Sequence, residues 1–481
     1  MKRCGSSIVL ALLLFHSLAL SSVSAQTDEV DEYIQAEMKK RLIPGLALVV
    51  IRNGGVIKMK GYGFANLEHR VPATPDTVFE LASVTKQFTA TAIMQLAEEG
   101  KVKLDDPVNQ FLPNSPDAWK GITVRHLLTH TAGLASLEDG FKALYEGGAR
   151  LNYTTAQMFE AATKDPISFA PGERWQYSDV GYFLLGMIIE KAGGQRYRDF
   201  LAERFFKPLG MTSTSVLDQW AIVRNRAAGY TIREGQLVNI RRVGQVELPS
   251  HYGVFTTVRD LGKWETALAA GKVVKESSLA QMWTPVKLGS TRGSYPYGFG
   301  WEIGERRSHR MITHTGITGT EYTRFPDDKL TVIVLTNLGV RIGAATSVNA
   351  WGLTKGVAGR FIPGLLFSTL REQPGADPRL TQHLLDFLSD IANGEDAALM
   401  TPGLRALLGQ NAKVITGARL KALKSFAFLD CDDARGRALE RHGARVSRVC
   451  YFRMVTRSET RHYVFWLTAD GKVADFTSVI E

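Results

Sequence analysis

Two strand–turn–strand signals stand far apart in this chain of 481 residues. The first joins "GLALVVIRNG" to "GVIKMKGYGFAN" around Asn53-Gly54-Gly55. Asn-Gly lets the backbone enter the left-handed turn that closes a tight hairpin. The second, "TEYTRFPDDKLTVIVLTN", turns at Pro326-Asp327-Asp328. Helical patterns lie between them, notably "DVGYFLLGMIIEKAG" over residues 179–193, and another, residues 30–41, precedes the first hairpin. "GAATSVNAWGLTKGVAGR" reads as a helix packed on the sheet. Strands at both ends of a helical middle predict an α/β unit whose sheet unites distant parts of the chain.

Residues 1–25 read as a secretory signal: Lys2 and Arg3, an apolar run from Ile8 to Leu20, then Val23-Ser24-Ala25. The expected locations are therefore secreted or periplasmic. One large domain is expected over 26–361. Residues 362–380, "FIPGLLFSTLREQPGADPRL" in context, read as a docking segment and linker. Residues 381–481 read as a small α+β domain: a helix, "LTQHLLDFLSDIANG", then strands in "VSRVCYFRMVT", "TRHYVFWLTA" and "KVADFTSVI". This domain is a candidate to mediate dimerisation, shape a cleft of the large unit, or bind a partner.

The formal charge of +10 is dispersed, with no basic patch interleaved with aromatic residues, so no nucleic-acid partner is expected. Cys431 and Cys450, nineteen apart, are the two cysteines beyond the signal. They form one disulfide or remain two buried thiols; two cysteines without a neighbouring histidine make no metal site.

The stretch "ELASVTKQFTATAIMQLAEEG" carries Ser83 and Lys86, three apart. On a helix with an apolar stripe of Val84, Phe88, Ile93, Leu96 and Ala97, they share one face. Burial and the positive end of the helix dipole lower a lysine pKa, and a neutral lysine is a usable base for a serine. Taken alone, the pair fits an N-cap serine with a snorkelling lysine better than a nucleophile with its base. The chain has no Gly-x-Ser-x-Gly elbow, no His-Glu-x-x-His and no phosphate loop.

Three ordered motifs resemble the serine beta-lactamase and penicillin-binding-protein superfamily, in its class C-like branch of D,D-carboxypeptidases and family VIII esterases. They are "SVTK" at Ser83, "QYSD" with Tyr177-Ser178-Asp179, and "THTG" with His314-Thr315-Gly316. "ITVRHLLTHTAGL", residues 122–134, is also typical of the branch. The resemblance covers roughly residues 30–360 and implies an α/β fold. Its catalytic domain is beta-lactamase-like, an antiparallel sheet flanked by helices plus an all-helical region.

By this resemblance Ser83 is the nucleophile, Lys86 holds or takes its proton, and Tyr177 relays a proton to the leaving group. Positive charge on Lys86 and His314 would have to pull the Tyr177 pKa down. The backbone N–H groups of Ser83 and Ile317 form the oxyanion hole. Asp179, His314, Thr315 and Gly316 bind substrate or set the electrostatics. Asp179 stands where asparagine is usual and either pairs with Lys86, caps the following helix, or does both. His314 stands in the place of lysine and makes a permanent charge titratable. His130 reads as structural, and Tyr62 as packing near the site.

The implied activity is acyl-enzyme hydrolysis of small carboxylic esters or D-alanyl peptides, with peptidoglycan fragments among the partners. Beta-lactam hydrolysis, penicillin binding, or a non-catalytic binding protein are the alternatives. No cofactor and no metal are required.

Overall fold

A computed structural model describes residues 29–135, 152–218, 220–240, 245–288, 294–339, 350–395, 397–405, 408, 410–437, 439–479 and 481. The signal read over residues 1–25 lies outside them, as do residues 340–349, where the helix expected late in the large unit was to begin.

Helix α1 (residues 29–41) leads into the first hairpin, β1 (Gly45–Arg52) and β2 (Gly55–Asn66), with a short β3 (Val71–Pro72). The later strands are β4 (Glu302–Arg306), β5 (His309–Gly316), β6 (Thr320–Phe325) and β7 (Leu330–Thr336). Together they form one seven-stranded sheet in the order β4-β5-β6-β7-β1-β2-β3. The central antiparallel pair joins β1 to β7, with Val49 opposite Ile333.

Both faces of this sheet are covered. On β1, Ala47, Val49 and Ile51 face one core, and Leu46, Leu48 and Val50 face the other. That is why these strands read as continuous apolar runs instead of an alternation. The inner core is built from α2 (Lys86–Glu98), α3 (Asp179–Gly193) and α4 (Val258–Ala269). The outer core holds α1 and α5 (Leu353–Ala358). Tyr62 lies opposite Leu46 and joins this outer core, its hydroxyl donating to Asp31 at 2.6 Å. It therefore packs away from the "SVTK" helix, contrary to the sequence reading.

The C-terminal unit is an antiparallel sheet, β8 (Leu423–Asp433), β9 (Arg448–Thr456), β10 (Thr460–Leu467) and β11 (Val473–Val479), in that order. One face packs on α6 (Pro378–Asn393). Helix α6 starts inside the stretch read as a linker, because the Asp377 side chain caps it and Pro378 suits its first turn. Helix α7 (Gln410–Lys421) follows it. Cys431 and Cys450 stand directly opposite each other on β8 and β9 and are joined by a disulfide.

The other face of this sheet meets the catalytic unit at the tip of the β4–β5 hairpin. Arg307 donates to Asp430 at 2.7 Å and to Asp432 at 3.2 Å, and lies over the Tyr451 ring. Arg306 covers Phe367 and pairs with Glu481. The opposite end of β5 carries His314, Thr315 and Gly316.

Candidate active site

Ser83 does not open the α-helix itself. It lies in a 3-10 turn, Ala82–Thr85, and α2 starts at Lys86. Neither element is capped by a side chain, so the N-cap reading of Ser83 fails. Lys86 through Met94 are all buried, so α2 begins as a core helix with no solvent face for a lysine to snorkel to. Ala82 has φ 48°, a strained conformation immediately before the nucleophile candidate.

Lys86 is fully buried, and its side-chain nitrogen meets three oxygens. Nζ lies 3.2 Å from Ser83 Oγ, 2.5 Å from Asp179 Oδ1 and 3.0 Å from the His251 carbonyl. It also sits over the Tyr177 ring at 4.7 Å. Burial pushes its pKa below the ordinary lysine value, and the Asp179 carboxylate opposes that shift.

Asp179 is the first residue of α3, and the cap is its neighbour. Ser178 Oγ accepts from the Gly181 N–H at 3.2 Å and donates to the Ala135 carbonyl at 2.8 Å. With the capping done by Ser178, the Asp179 side chain is left to Lys86. One turn on, the Tyr182 ring lies 5.5 Å from Lys86 Nζ, a neighbour that three-residue helical spacing from Asp179 would have revealed.

Ser83 favours ionisation of the Tyr177 phenol, yet the phenol is not activated toward phenolate. Burial among aromatic rings raises its pKa well above the ordinary value, and Asp179 adds to the rise. His314 brings no compensating charge. Burial, then Lys86, pushes it down to about 3. Its Nδ1–H donates to the Thr315 carbonyl at 2.9 Å, so Nε2 accepts from the Tyr297 hydroxyl at 3.0 Å. The expected titratable cation is a neutral, inward-facing ring.

His130 is buried too, its Nδ1 accepting from the Ser178 N–H at 3.1 Å. Its ring is 4.3 Å from Tyr177, 5.0 Å from Tyr182 and 4.6 Å from Tyr297. Tyr297 and His251 carry no local motif, and only the tertiary fold brings them here.

The turn after β5 is tied to the segment before Ser83. Thr318 Oγ1 donates to the Glu80 carbonyl at 2.7 Å and Thr320 Oγ1 to the Leu81 carbonyl at 2.8 Å. At Gly316 a side chain would strike the Leu81 carbonyl oxygen at 2.3 Å, so only glycine lets the strand come this close. Thr315, Ile317 and Ser83 are partly exposed around this contact, where a substrate can enter. Among the described residues no cluster of histidine, cysteine or carboxylate is arranged to hold a metal ion.

The beta-lactamase family model matches residues 30–351, spanning every element of this site. The chain belongs to the beta-lactamase family. This membership carries a serine-hydrolase-like catalytic fold. Protein flp of Staphylococcus aureus (strain MW2) is 31% identical over 322 residues, which cover 64% of this chain and 63% of that protein. The match thus spans less than two thirds of the relative's length.

Among solved structures, D-amino acid amidase from Ochrobactrum anthropi SV3 superposes with a TM-score of 0.57 and 26% identity, covering 69% of this chain and 97% of the amidase. The octameric penicillin-binding protein homologue from Pyrococcus abyssi gives a TM-score of 0.58 at 24% identity, over 95% of this chain and 96% of that one. This last likeness in fold runs beyond the beta-lactamase-like part and takes in the C-terminal unit, which the sequence reading had left outside the resemblance.

Proposed function

We propose that this beta-lactamase-family chain hydrolyses small carboxylic esters through an acyl-enzyme on Ser83, with preference for substrates that bear no carboxylate. One observation carries the reading: Ser83 Oγ stands 3.2 Å from a buried Lys86 Nζ, which also lies over the Tyr177 ring. Burial favours the amine form of Lys86, which takes the Ser83 proton as Oγ bonds to the substrate carbonyl carbon. The ammonium so formed is stabilised by Asp179 and the His251 carbonyl. The Ser83 and Ile317 N–H groups receive the negative charge on the carbonyl oxygen. As the C–O bond breaks, the Tyr177 phenol gives its proton to the departing alkoxide and recovers one from Lys86. Water then cleaves the acyl-enzyme by the same proton path in reverse.

The substrate preference rests on charge. His314 is neutral above about pH 3, and Asp179 adds a carboxylate beside Lys86. A D-alanyl peptide end or a beta-lactam brings a carboxylate, and among the described residues placed at the site above none but Lys86 is a cation, and Lys86 is already paired with Asp179. A D-amino acid amide also lacks that charge, and the likeness to D-amino acid amidase makes it the second reading.

Rates on p-nitrophenyl butyrate, a D-amino acid amide, a D-alanyl-D-alanine peptide and a chromogenic cephalosporin test this. The ester is expected to be fastest by at least about tenfold, and Ser83→Ala to abolish its turnover. A faster peptide or cephalosporin overturns the charge argument, and a faster amide selects the second reading. Unchanged turnover in Ser83→Ala removes the acyl-enzyme itself.

A further inference from the structure

We infer that Trp351 is a positioning residue for the oxyanion hole, acting through the carbonyl end of the peptide that supplies the Ile317 N–H. The inference rests on the acyl-enzyme reading above. The Trp351 indole N–H donates to the Gly316 carbonyl at 3.0 Å. The Gly319 N–H donates to the same oxygen at 2.9 Å. The Gly316 carbonyl and the Ile317 N–H belong to one planar trans peptide and point in opposite directions. Whatever holds the carbonyl therefore aims the N–H. A peptide whose carbonyl accepts two hydrogen bonds is also polarised, which makes its N–H a stronger donor.

The indole stands on a fixed base. Glu321 on β6 faces Thr315 across the ladder and is fully buried. Its Oε2 accepts from the Gly352 N–H at 2.9 Å and the Thr354 N–H at 3.2 Å, and Lys355 pairs with Oε1 at 2.8 Å. The carboxylate thus binds the start of α5, immediately after Trp351. The Trp351 carbonyl accepts from Arg41 of α1 at 2.7 Å. Gly352, at φ 92°, makes the turn that puts the tryptophan beside the strand. Residues from α1, β6 and α5 therefore converge to hold one indole against one peptide bond.

This arrangement has a kinetic signature. Acylation and deacylation both pass through an oxyanion. A less well aimed donor slows both steps by similar factors, so kcat falls while KM stays nearly constant. Removing an oxyanion donor outright costs about 10²–10³-fold in kcat, and loosening one costs less. Substrate binding that does not engage the oxyanion hole is unaffected.

The test is Trp351→Phe in the full chain, which keeps a ring and deletes the N–H. Trp351 is 37% exposed, so this change leaves the packed core intact. With p-nitrophenyl butyrate, kcat is expected to fall roughly tenfold or more with KM within about twofold. The inhibition constant of phenylboronic acid, whose Ser83 adduct places an oxygen in the oxyanion hole, is expected to rise by a similar factor. The thermal midpoint should stay within a few degrees of the parent. A kcat and a boronate constant both within about twofold of the parent overturn the proposal while Ser83-dependent turnover keeps the acyl-enzyme reading. Turnover that survives Ser83→Ala overturns both together.

Discussion

Lys86 Nζ sits 2.5 Å from Asp179 Oδ1, and Lys86 has no exposure to water. Burial lowers the Lys86 pKa and the carboxylate resists. Asp179→Asn removes the resistance, so the amine form is reached at lower pH. The acid limb of kcat/KM for an ester is expected to move to lower pH, raising the rate at pH 6 relative to pH 8. A limb that stays in place or moves up takes Lys86 out of the base role. The new amide donor should also speed a D-alanyl peptide relative to the ester.

Tyr177 is held as a phenol by burial and by Asp179. A proton donor matters most for a leaving group that cannot depart as an anion. Tyr177→Phe is expected to lower ethyl butyrate hydrolysis by about 10²–10⁴-fold. Release of p-nitrophenolate, which needs no proton, should fall less than about tenfold. Equal losses on the two esters would falsify the donor role.

Four buried histidines among the described residues tie stability to pH, and His462 of β10, pushed down to about 4 chiefly by burial, is one of them. His314 is pushed down to about 3 and His251 to about 4, and His130 is lowered well below 6.5, all chiefly by burial. Below pH 6.5 the unfolded chain binds protons that the folded chain refuses. Stability is therefore complete above that pH and is lost as pH falls toward the folded values, by up to about 1.4 kcal/mol per pH unit for each histidine. Urea midpoints between pH 7.5 and 5 should show the fall. His314→Asn should make it shallower; an unchanged slope would mean that His314 takes up its proton in the folded state.

Arg307 bridges the β4–β5 hairpin to Asp430 and Asp432 of the C-terminal sheet. It is mostly buried while Asp430 is partly open, which places its worth between a surface pair and a buried one. Arg307→Ala is expected to cost about 2 kcal/mol. Thermal unfolding should broaden or split into two transitions as the units uncouple. A single unshifted transition would show that the other contacts suffice.

The hairpins at Asn53-Gly54-Gly55 and Pro326-Asp327-Asp328 were legible because turn chemistry is local. Ser83 and Lys86 were legible because their contact needs only a three-residue spacing. The charge on His314 was not. Its neutrality comes from complete burial and then from Lys86, against the opposing pull of the Thr315 carbonyl and Asp179, and both that burial and the approach of Lys86 are set by the tertiary fold. Tyr62 was misplaced because an apolar residue on a doubly covered strand can face either core. Strand β8, which carries Cys431, was given no bounds in the sequence because it is an edge strand, half-exposed and interrupted by two bulges.

The β1–β7 pairing has a consequence for how the chain acquires its shape. Val49 must wait for Ile333 before the middle of the sheet exists. Until then β1 offers one unpaired edge lined by Leu46, Leu48 and Val50, side chains that end fully buried. Such long-range closure makes folding slow, and an open apolar edge recruits other strands. A chain released before residue 330 lacks the partner strand altogether, so truncation products of this protein should aggregate instead of settling into a smaller folded unit.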